Sequence, residues 1–362
     1  MSSNTVETYR PGNEVEIVEV FEAAFGEGAY YFPRSVSSWL WRYAQRPSFD
    51  PASILMIRKD GALVATLSMT YGALLVNGNP KKVALIDDVS TLPQWRRQGL
   101  ATILMRHAIN RAKELDCWGV HLVADPAGSA IRIYRSSGFE FITSCINMLC
   151  VLKHRRAARF GKRSQAVGLL ALSLLDFFKN ARIDDSLCET IVVEGRSAVD
   201  IALRTQREIG LSNGTILLDE EYVNWMTSQR PDGSLKVVSI MKDMEFSGSF
   251  TLSSSDFSGP RTTDRMAIIG GLTLSEDIQT KDTIAAVLHG AKMIAKNSLN
   301  CPIVSIFVDE RAETIRSACK KAGFMEVGKS ASMFHPLGQF QRLAEIREGI
   351  WNQPAETSFS NP

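Results

Sequence analysis

The spacing of apolar residues changes along the chain, and each change marks a new element. Apolar residues three and four apart predict helices over residues 14–25 and 35–45. Shorter runs that alternate with polar residues predict strands over 54–58, 63–70, 73–76 and 83–91. The pair Asn77-Gly78 is typical of a tight turn between the last two of these strands.

A second group of elements follows, in which helices and strands alternate. The pattern predicts an amphipathic helix over 98–115, a strand over 119–124, a short helix over 129–136 and a strand over 140–149. A hairpin-rich start with a β-α-β-α-β finish indicates an α/β fold, in the sense of a mixed α+β sheet flanked by helices.

The two halves of the chain repeat the same landmarks. Trp41 is followed five residues later by an Arg-Pro pair, and Trp225 is followed by another at the same distance. A Lys-Asp pair that reads as a hairpin turn comes next, at 59–60 in the first half and 242–243 in the second. Matching motifs then close each half, at 123–125, 131–132 and 138–139, and at 307–309, 315–316 and 323–324. The chain therefore reads as one domain repeated in tandem.

This repeat predicts domains at 1–152 and 187–340, a linker at 153–186 and a C-terminal helix and tail at 341–362. The linker holds a basic run and then an apolar stretch over 166–178, which is shorter than the ~20 residues of a spanning helix. Two interpretations of it stay open: an apolar face packed between the domains, or peripheral membrane docking through 153–178.

Composition narrows the class of protein. The 362 residues are 45% hydrophobic and 22% charged, as in ordinary globular proteins, and the net charge of +2 gives no reason to expect nucleic acid as a partner. The six cysteines and five histidines show no metal-ligand spacing, so we expect no metal cofactor. Free thiols and a polar N-terminus without an apolar signal core predict a cytoplasmic protein.

The segment 86–101 carries the clearest chemistry. An apolar strand ends there in a loop with Arg96 and Arg97, and the small residues Gly99 and Ala101 open the long helix. The first turn of a helix offers unpaired N–H groups, and small residues let its backbone approach a ligand closely. With the helix dipole and two arginines beside it, such a turn fits a pyrophosphate.

Arg96-x-x-Gly99-x-Ala101 resembles the acyl-CoA signature R/Q-x-x-G-x-G/A of the GNAT acetyltransferase superfamily. The later stretch from Ala130 through Tyr134 to Gly138-Phe139 is similar to a second element of that family. The resemblance covers residues 5–150 well and reaches the second half only through the repeat. It implies two tandem GNAT-like domains, each with a mixed, mostly antiparallel sheet and a splayed central strand pair, and acetyl-CoA or another acyl-CoA as co-substrate.

The resemblance also implies roles for individual residues. Backbone groups of the splayed strand bind the pantetheine arm, and the loop and the amides of the first helical turn hold the pyrophosphate. Tyr134 stands where the family commonly has the tyrosine that protonates the leaving thiolate, whereas the family's usual asparagine before the short helix is Ala127 here. The cofactor-binding residues are thus Val89, Ser90, Thr91, Arg96, Arg97, Gln98, Gly99, Leu100, Ala101 and Thr102.

An amine acceptor must lose a proton before it attacks a thioester, so we expect a carboxylate near the splayed strand. Asp87 and Asp88 both lie there, and strand alternation predicts that they point to opposite faces. One or both could instead pair with a lysine or cap a turn. His121 and Asp125, on the next strand, are further candidates for proton relay or acceptor binding.

The second half has lost these features. Aligning Thr91-Leu92 with Thr273-Leu274 sets Ile278, Lys281 and Thr283 against Arg96, Gly99 and Ala101, and Cys319 stands at the place of Tyr134. Without the arginines and the glycine, pyrophosphate binding would be weak. We therefore expect one catalytic half and a degenerate copy that shapes the acceptor cleft.

The resulting hypothesis is an N-acyltransferase that moves an acetyl or other short acyl group from acyl-CoA to a small-molecule or peptide amine in a ternary complex. A Fem-like aminoacyl transferase is a second possibility, but it has no need of the arginine-rich loop. Mycothiol-synthase-like chemistry and a non-catalytic acyl-CoA-binding regulatory module also stay open. Trp41 and Trp225 either pack in the core or bind the acceptor.

Overall fold

The computed structural model describes residues 5–26, 30–153, 156, 183–209, 214–228, 230–231, 233–259 and 262–337. Almost all of the predicted linker, including its apolar helix and the membrane-docking segment, lies outside these residues, as does the tail at 341–362.

The first half begins with hairpins and ends with alternating helices and strands. Its helices are α1 (Glu14–Phe25), α2 (Val36–Trp39, continued by a π-helical turn Leu40–Ala44), α3 (Leu100–Glu114) and α4 (Ala130–Ser136). Its strands are β1 (Val6–Thr8), β2 (Ile54–Lys59), β3 (Ala62–Val76), β4 (Asn79–Thr91), β5 (Gly119–Ala124) and β6 (Glu140–Val151).

The second half repeats this order. Its strands are β7 (Glu189–Val193), β8 (Ile216–Leu217), β9 (Gly233–Lys242), β10 (Glu245–Gly259), β11 (Thr262–Leu274), β12 (Ile303–Asp309) and β13 (Met325–Pro336). Its helices are α5 (Arg196–Glu208), α6 (Glu220–Thr227), α7 (Lys281–Asn297) and α8 (Glu313–Lys321).

Local signals set most of these bounds. Ser35 and Ser38 form a capping box that starts α2, which is the helix predicted from residue 35. Asn77 and Gly78 both have positive φ in the turn between β3 and β4, as a tight hairpin requires. The predicted break between two strands at 70–73 is wrong, because Gly72 continues β3 and packs against Ile216 of the second half.

Thirteen strands of the described residues form one mixed sheet, in which only β4–β5 and β11–β12 pair in parallel. The repeat is visible in the turns, since the β2–β3 hairpin after Lys59 matches the β9–β10 hairpin after Lys242. The prediction of a mixed, mostly antiparallel sheet flanked by helices is confirmed.

The two halves exchange their last strands, which the sequence did not predict. The order at the centre of the sheet is β5-β13-β6-β12, so β13 completes the first half and β6 completes the second. Each half therefore contains a strand of the other, and the predicted domain bounds at 152 and 187 do not describe this crossing. Two main cores lie where α3 and α7 each pack on the sheet.

Candidate functional site

The parallel strands β4 and β5 separate in the middle of the sheet. Their register runs from Val83 opposite Gly119 to Leu85 opposite His121 and ends there, although both strands continue. A narrow wedge-shaped cavity opens beyond this point, lined by Ile86, Asp87, Asp88, Val89, Leu122, Val123 and Tyr134. The expected splayed pair is present, and four of the predicted site residues line its wedge: Asp87, Asp88, Val89 and Tyr134.

The loop after β4 leads directly into the N-terminus of α3. Arg97 and Gly99 have φ of +63° and +77°, and Gly99 is the residue before the first turn of the helix. The left-handed conformation is one that glycine adopts without strain. A Cβ at Gly99 would meet nothing within 4 Å, so the space in front of the helix is open. No side chain caps this helix end, which leaves its first amides facing that space.

Arg96 holds the loop in place rather than pointing freely into solvent. Its Nε donates to the carbonyl of Thr91 at 3.2 Å, and its Nη2 donates to the carbonyl of Ala24, near the end of α1, at 2.8 Å. Arg97 is exposed beside it. One arginine thus fixes the loop while the other adds positive charge next to the helix terminus.

Asp87 and Asp88 do not point to opposite faces, which corrects the alternation argument. A bulge in β4 sets Ser68 opposite Asp87 and Thr66 opposite Ser90, so two residues of β4 stand against one of β3. Asp88 adopts the left-handed conformation, with φ of +46°. The bulge turns both carboxylates toward the same hydroxyl, that of Tyr43.

This hydroxyl is the centre of a buried ionic cluster. Tyr43 Oη donates to Asp88 Oδ2 at 2.8 Å and lies 3.3 Å from Asp87 Oδ2. Arg42 forms an ion pair with Asp87, and Arg34 reaches Asp88 at 3.4 Å. Two carboxylates thus face two guanidinium groups. The aspartates pair with arginines, rather than with the lysine or the turn cap that the sequence left open as alternatives.

Burial has a clear electrostatic consequence in this cluster. Desolvation raises the pKa of Asp88, the nearby Arg34 charge opposes that rise, and the Asp87 carboxylate adds to it. Burial and the two carboxylates also raise the pKa of Tyr43 well above its usual value. Asp88 is therefore a stronger base than an exposed aspartate, while Tyr43 stays protonated.

Tyr134 lies on α4 with only 5% of its surface exposed, at the edge of the wedge. Burial and the Asp87 charge raise its pKa to about 12. The phenol is therefore protonated near neutral pH, as a proton donor must be. It is also a weaker acid than free tyrosine, which favours hydrogen bonding to a leaving thiolate over complete proton transfer.

His121 and Asp125 have other partners. His121 is buried, its Nε2 lies 2.9 Å from Ser332 Oγ on β13, and burial lowers its pKa to about 3. So weak a base is a poor choice for accepting a proton from an amine. Asp125 accepts a hydrogen bond from the amide of Ala127 at 2.9 Å, which closes the turn where the family has its asparagine.

The second half repeats the backbone of the site without its chemistry. A bulge in β11 gives Gly271 a φ of +60°, so Gly270 and Gly271 stand where the first half has its two aspartates. The bulge aligns Ser90 with Thr273. The alignment of Thr91 with Thr273 expected from the sequence is therefore wrong by one residue.

The helix terminus of the second half is also changed. Thr280 precedes α7, and its side chain accepts a hydrogen bond from the amide of Thr283, so this end is capped by the protein itself. Glu276 and Asp277 lie in the preceding loop, where the first half has its arginines. Cys319 is fully buried. The Thr280 cap and the two acidic residues disfavour an anionic ligand at this end.

Sequence reasoning missed Arg34, Arg42 and Tyr43. They lie 44 to 54 residues before the aspartates they contact, on a different element. The available signal was an Arg-Tyr pair beside Trp41 in a predicted helix, and this pattern indicates a buried polar cluster only once its partners are known.

Two further findings concern the described residues. Among them, no group of three or more His, Cys, Asp or Glu side chains is arranged to hold a metal ion. In the same part of the chain, no helix has the length and apolar character needed to cross a membrane.

Comparison with known sequences gives one family. Residues 5–142 match the model of the acetyltransferase (GNAT) domain. At the level of whole sequences, no curated protein matches the chain.

Solved structures resemble nearly the whole chain in fold. N-myristoyltransferase of Saccharomyces cerevisiae with bound myristoyl-CoA has a TM-score of 0.70 at 11% identity, over 93% of this chain and 79% of that one. A tandem GNAT protein from the clavulanic acid biosynthesis pathway has a TM-score of 0.59 at 11% identity, over 93% and 99%. A GCN5-related N-acetyltransferase from Anabaena variabilis has a TM-score of 0.58 at 13% identity, over 92% and 72%.

Proposed function

We propose that the chain transfers an acyl group from acyl-CoA to an amine, because residues 5–142 match the acetyltransferase (GNAT) domain and nearly the whole chain resembles a tandem GNAT protein in fold. The observation that supports this most strongly is the combination of a splayed β4–β5 pair with an uncapped helix terminus behind Gly99. Both features belong to the first half.

The co-substrate binds along β4 and ends at α3. Val89, Ser90 and Thr91 offer backbone groups to the pantetheine arm, and the amides from Gln98 to Thr102 receive the pyrophosphate at the helix terminus. Arg97 adds charge there, and Arg96 keeps the loop closed on α1. The thioester then lies in the wedge between Asp88 and Tyr134.

The reaction is a direct attack in a ternary complex. We assign Asp88 as the base, because burial raises its pKa and its contact with Arg34 is long. It takes a proton from the amine, the nitrogen attacks the thioester carbonyl, and the carbon–sulfur bond breaks. Tyr134 donates a hydrogen bond to the departing thiolate. Asp87, fixed by Arg42, orients Tyr43 and the bulge.

The acyl group is acetyl or a similarly short chain. The wedge is narrow and closes where Leu85 meets His121, so few carbon atoms fit beyond the thioester. The six cysteines are free thiols, five of them buried, which supports the proposal of a cytoplasmic protein.

Thiol release from acetyl-CoA in the presence of an amine panel tests this function. We expect turnover with acetyl-CoA to exceed that with myristoyl-CoA, and Asp88→Asn to lower kcat by roughly 10²–10⁴ while leaving acetyl-CoA affinity within a few fold. Tight acetyl-CoA binding without thiol release from any amine would instead favour the non-catalytic binding module.

A further inference from the structure

The edge strand β7 of the second half borders an open cavity. β7 is the last strand on this side of the sheet, eight positions from β4, and among the described strands it pairs with β9 alone. An edge strand offers the N–H and C=O groups of its outer side to a further strand. The cavity beside it has a volume of about 550 Å³, within the range of cavities that bind ligands.

Methionines form much of the apolar wall of this cavity. Met241, Met244 and Met293 line it, and Met244 is 94% exposed at the turn between β9 and β10. Seven large apolar side chains are exposed in the described part of the chain, and three of them are Met244, Met293 and Ile191 of β7. Apolar side chains gathered in this way mark an interaction site, and methionine adapts its shape to a partner.

The rim of the cavity is acidic. Three exposed carboxylates line it, those of Asp185, Glu189 and Asp243. His289 is the one basic side chain among the described residues of the lining, and its Nε2 lies 3.7 Å from Asp185. Even a protonated His289 therefore balances one carboxylate of the three. The cavity favours a partner that carries positive charge.

The strand presents one set of side chains to the cavity and the other set to the opposite face of the sheet. Thr190 packs against α7, since a Cβ added at Gly290 would lie 2.2 Å from Thr190 Oγ1. Ile191, the next residue, points the other way by strand alternation. A strand added to this edge would place alternate side chains over the cavity and the intermediate ones beside Ile191.

We propose that β7 is a docking site for an extended segment of a partner protein in which lysine or arginine residues alternate with apolar ones. The segment adds a strand to the sheet, its basic heads meet the carboxylates, and the stems of those side chains pack on the methionines. A second copy of the chain fits poorly, because its β7 carries Glu189 and no lysine or arginine. This surface is separate from the acyl-CoA site, so the proposal does not rest on the acyltransferase function.

A short fluorescent peptide of alternating lysine and valine tests the proposal by fluorescence anisotropy. We expect the parent protein to bind it at least roughly 10-fold more tightly than two comparison peptides, one with the same residues in two blocks and one with glutamate in place of lysine. All lysine amides of an added strand face one side and all valine amides the other. N-methylation of one of these two sets should therefore abolish binding, and methylation of the other should leave it.

Charge reversal at two equivalent turns supplies the matched protein variants. Asp243 and Asp60 follow the same Lys in the two repeats and have φ of +49° and +51°, so a lysine is equally strained at either place. Asp243→Lys should weaken binding of the alternating peptide by roughly 10-fold, because Asp243 lines the cavity, and Asp60→Lys should not.

Four results would overturn the proposal. They are equal binding of the alternating and block peptides, tolerance of both methylated sets, equal weakening by the two lysine variants, and absence of binding up to about 1 mM peptide. A dimer of the parent chain in sedimentation that the peptide dissociates would assign this edge to a second copy instead, and would overturn it as well.

Discussion

Trp41 and Trp225, which hold the same place in the two repeats, stack on one another with ring centres 4.5 Å apart and planes 16° apart. The indole N–H of Trp225 donates to the carbonyl of Trp41 at 3.0 Å. The arginine that follows each tryptophan by five residues lies over the ring of the other tryptophan. Arg46 lies over Trp225, and the guanidinium of Arg230 lies 4.7 Å from the ring centre of Trp41. Of the two roles left open for these tryptophans, packing is the one observed, and it joins the two halves.

The stack predicts a large stability effect. Trp225→Ala should lower the free energy of unfolding by about 3–5 kcal/mol, because a buried ring is removed from a packed contact. A double-mutant cycle with Trp41→Ala should give a coupling of about 0.5–1.5 kcal/mol, measured by denaturant unfolding. Additive losses would show that the two rings are stabilised independently.

Gly99→Leu should abolish acetyl-CoA binding in calorimetry. The side chain would project into the open space before α3 and occupy the path of the pyrophosphate, and the φ of +77° strains any residue other than glycine. Gly78→Leu is the matched control, since Gly78 has a φ of +72° and equally open surroundings in a distant hairpin. It should cost similar stability and leave affinity unchanged. Equal affinities in all three proteins would move the site elsewhere.

Tyr134→Phe should lower kcat by roughly 10²–10³ with little change in acetyl-CoA affinity, because only the hydrogen bond to the thiolate is removed. Tyr9→Phe serves as control. Tyr9 is also buried with a pKa near 12, but its hydroxyl donates to Glu14, away from the wedge. A loss of only a few fold in Tyr134→Phe would leave this residue with a packing role.

Much of this arrangement follows from sequence pattern, and the exceptions have physical causes. The bounds of α1 and β5 were predicted to the residue, because the short-range periodicity of apolar residues determines them. The bulge at Asp88 was not predicted, since one extra residue in a strand leaves no trace in an apolar pattern. The exchange of β6 and β13 was also missed, because either strand satisfies the alternation of either half.

The site residues also fall into two groups, those that the sequence pattern predicts and those that it does not. The glycine and arginines of the loop and Tyr134 follow from spacing, since each depends on residues close by in the chain. The partners of Asp87 and Asp88 come from α2 and the segment before it, and only the folded chain brings them together.

His121 predicts a specific pH dependence of stability. Its pKa is about 3 in the folded protein and near 6.5 when unfolded, so the unfolded state binds more protons between these values. The free energy of unfolding should be fully retained above pH 6.5 and should fall by on the order of 1.4 kcal/mol per pH unit as the pH drops toward 3. His121→Asn should flatten this slope, whereas the exposed His107→Asn should not. Parallel slopes in both variants would contradict the assignment.

The number of acetyl-CoA molecules bound per chain tests the central claim most directly. We expect the co-substrate to bind in the first half alone, because Gly99 leaves its helix terminus open while Thr280 caps the equivalent one. Titration calorimetry should give one site per chain, lost in Gly99→Leu and unchanged in Thr280→Val. Two equivalent sites per chain, or a single site that survives Gly99→Leu and changes with Thr280→Val, would contradict it.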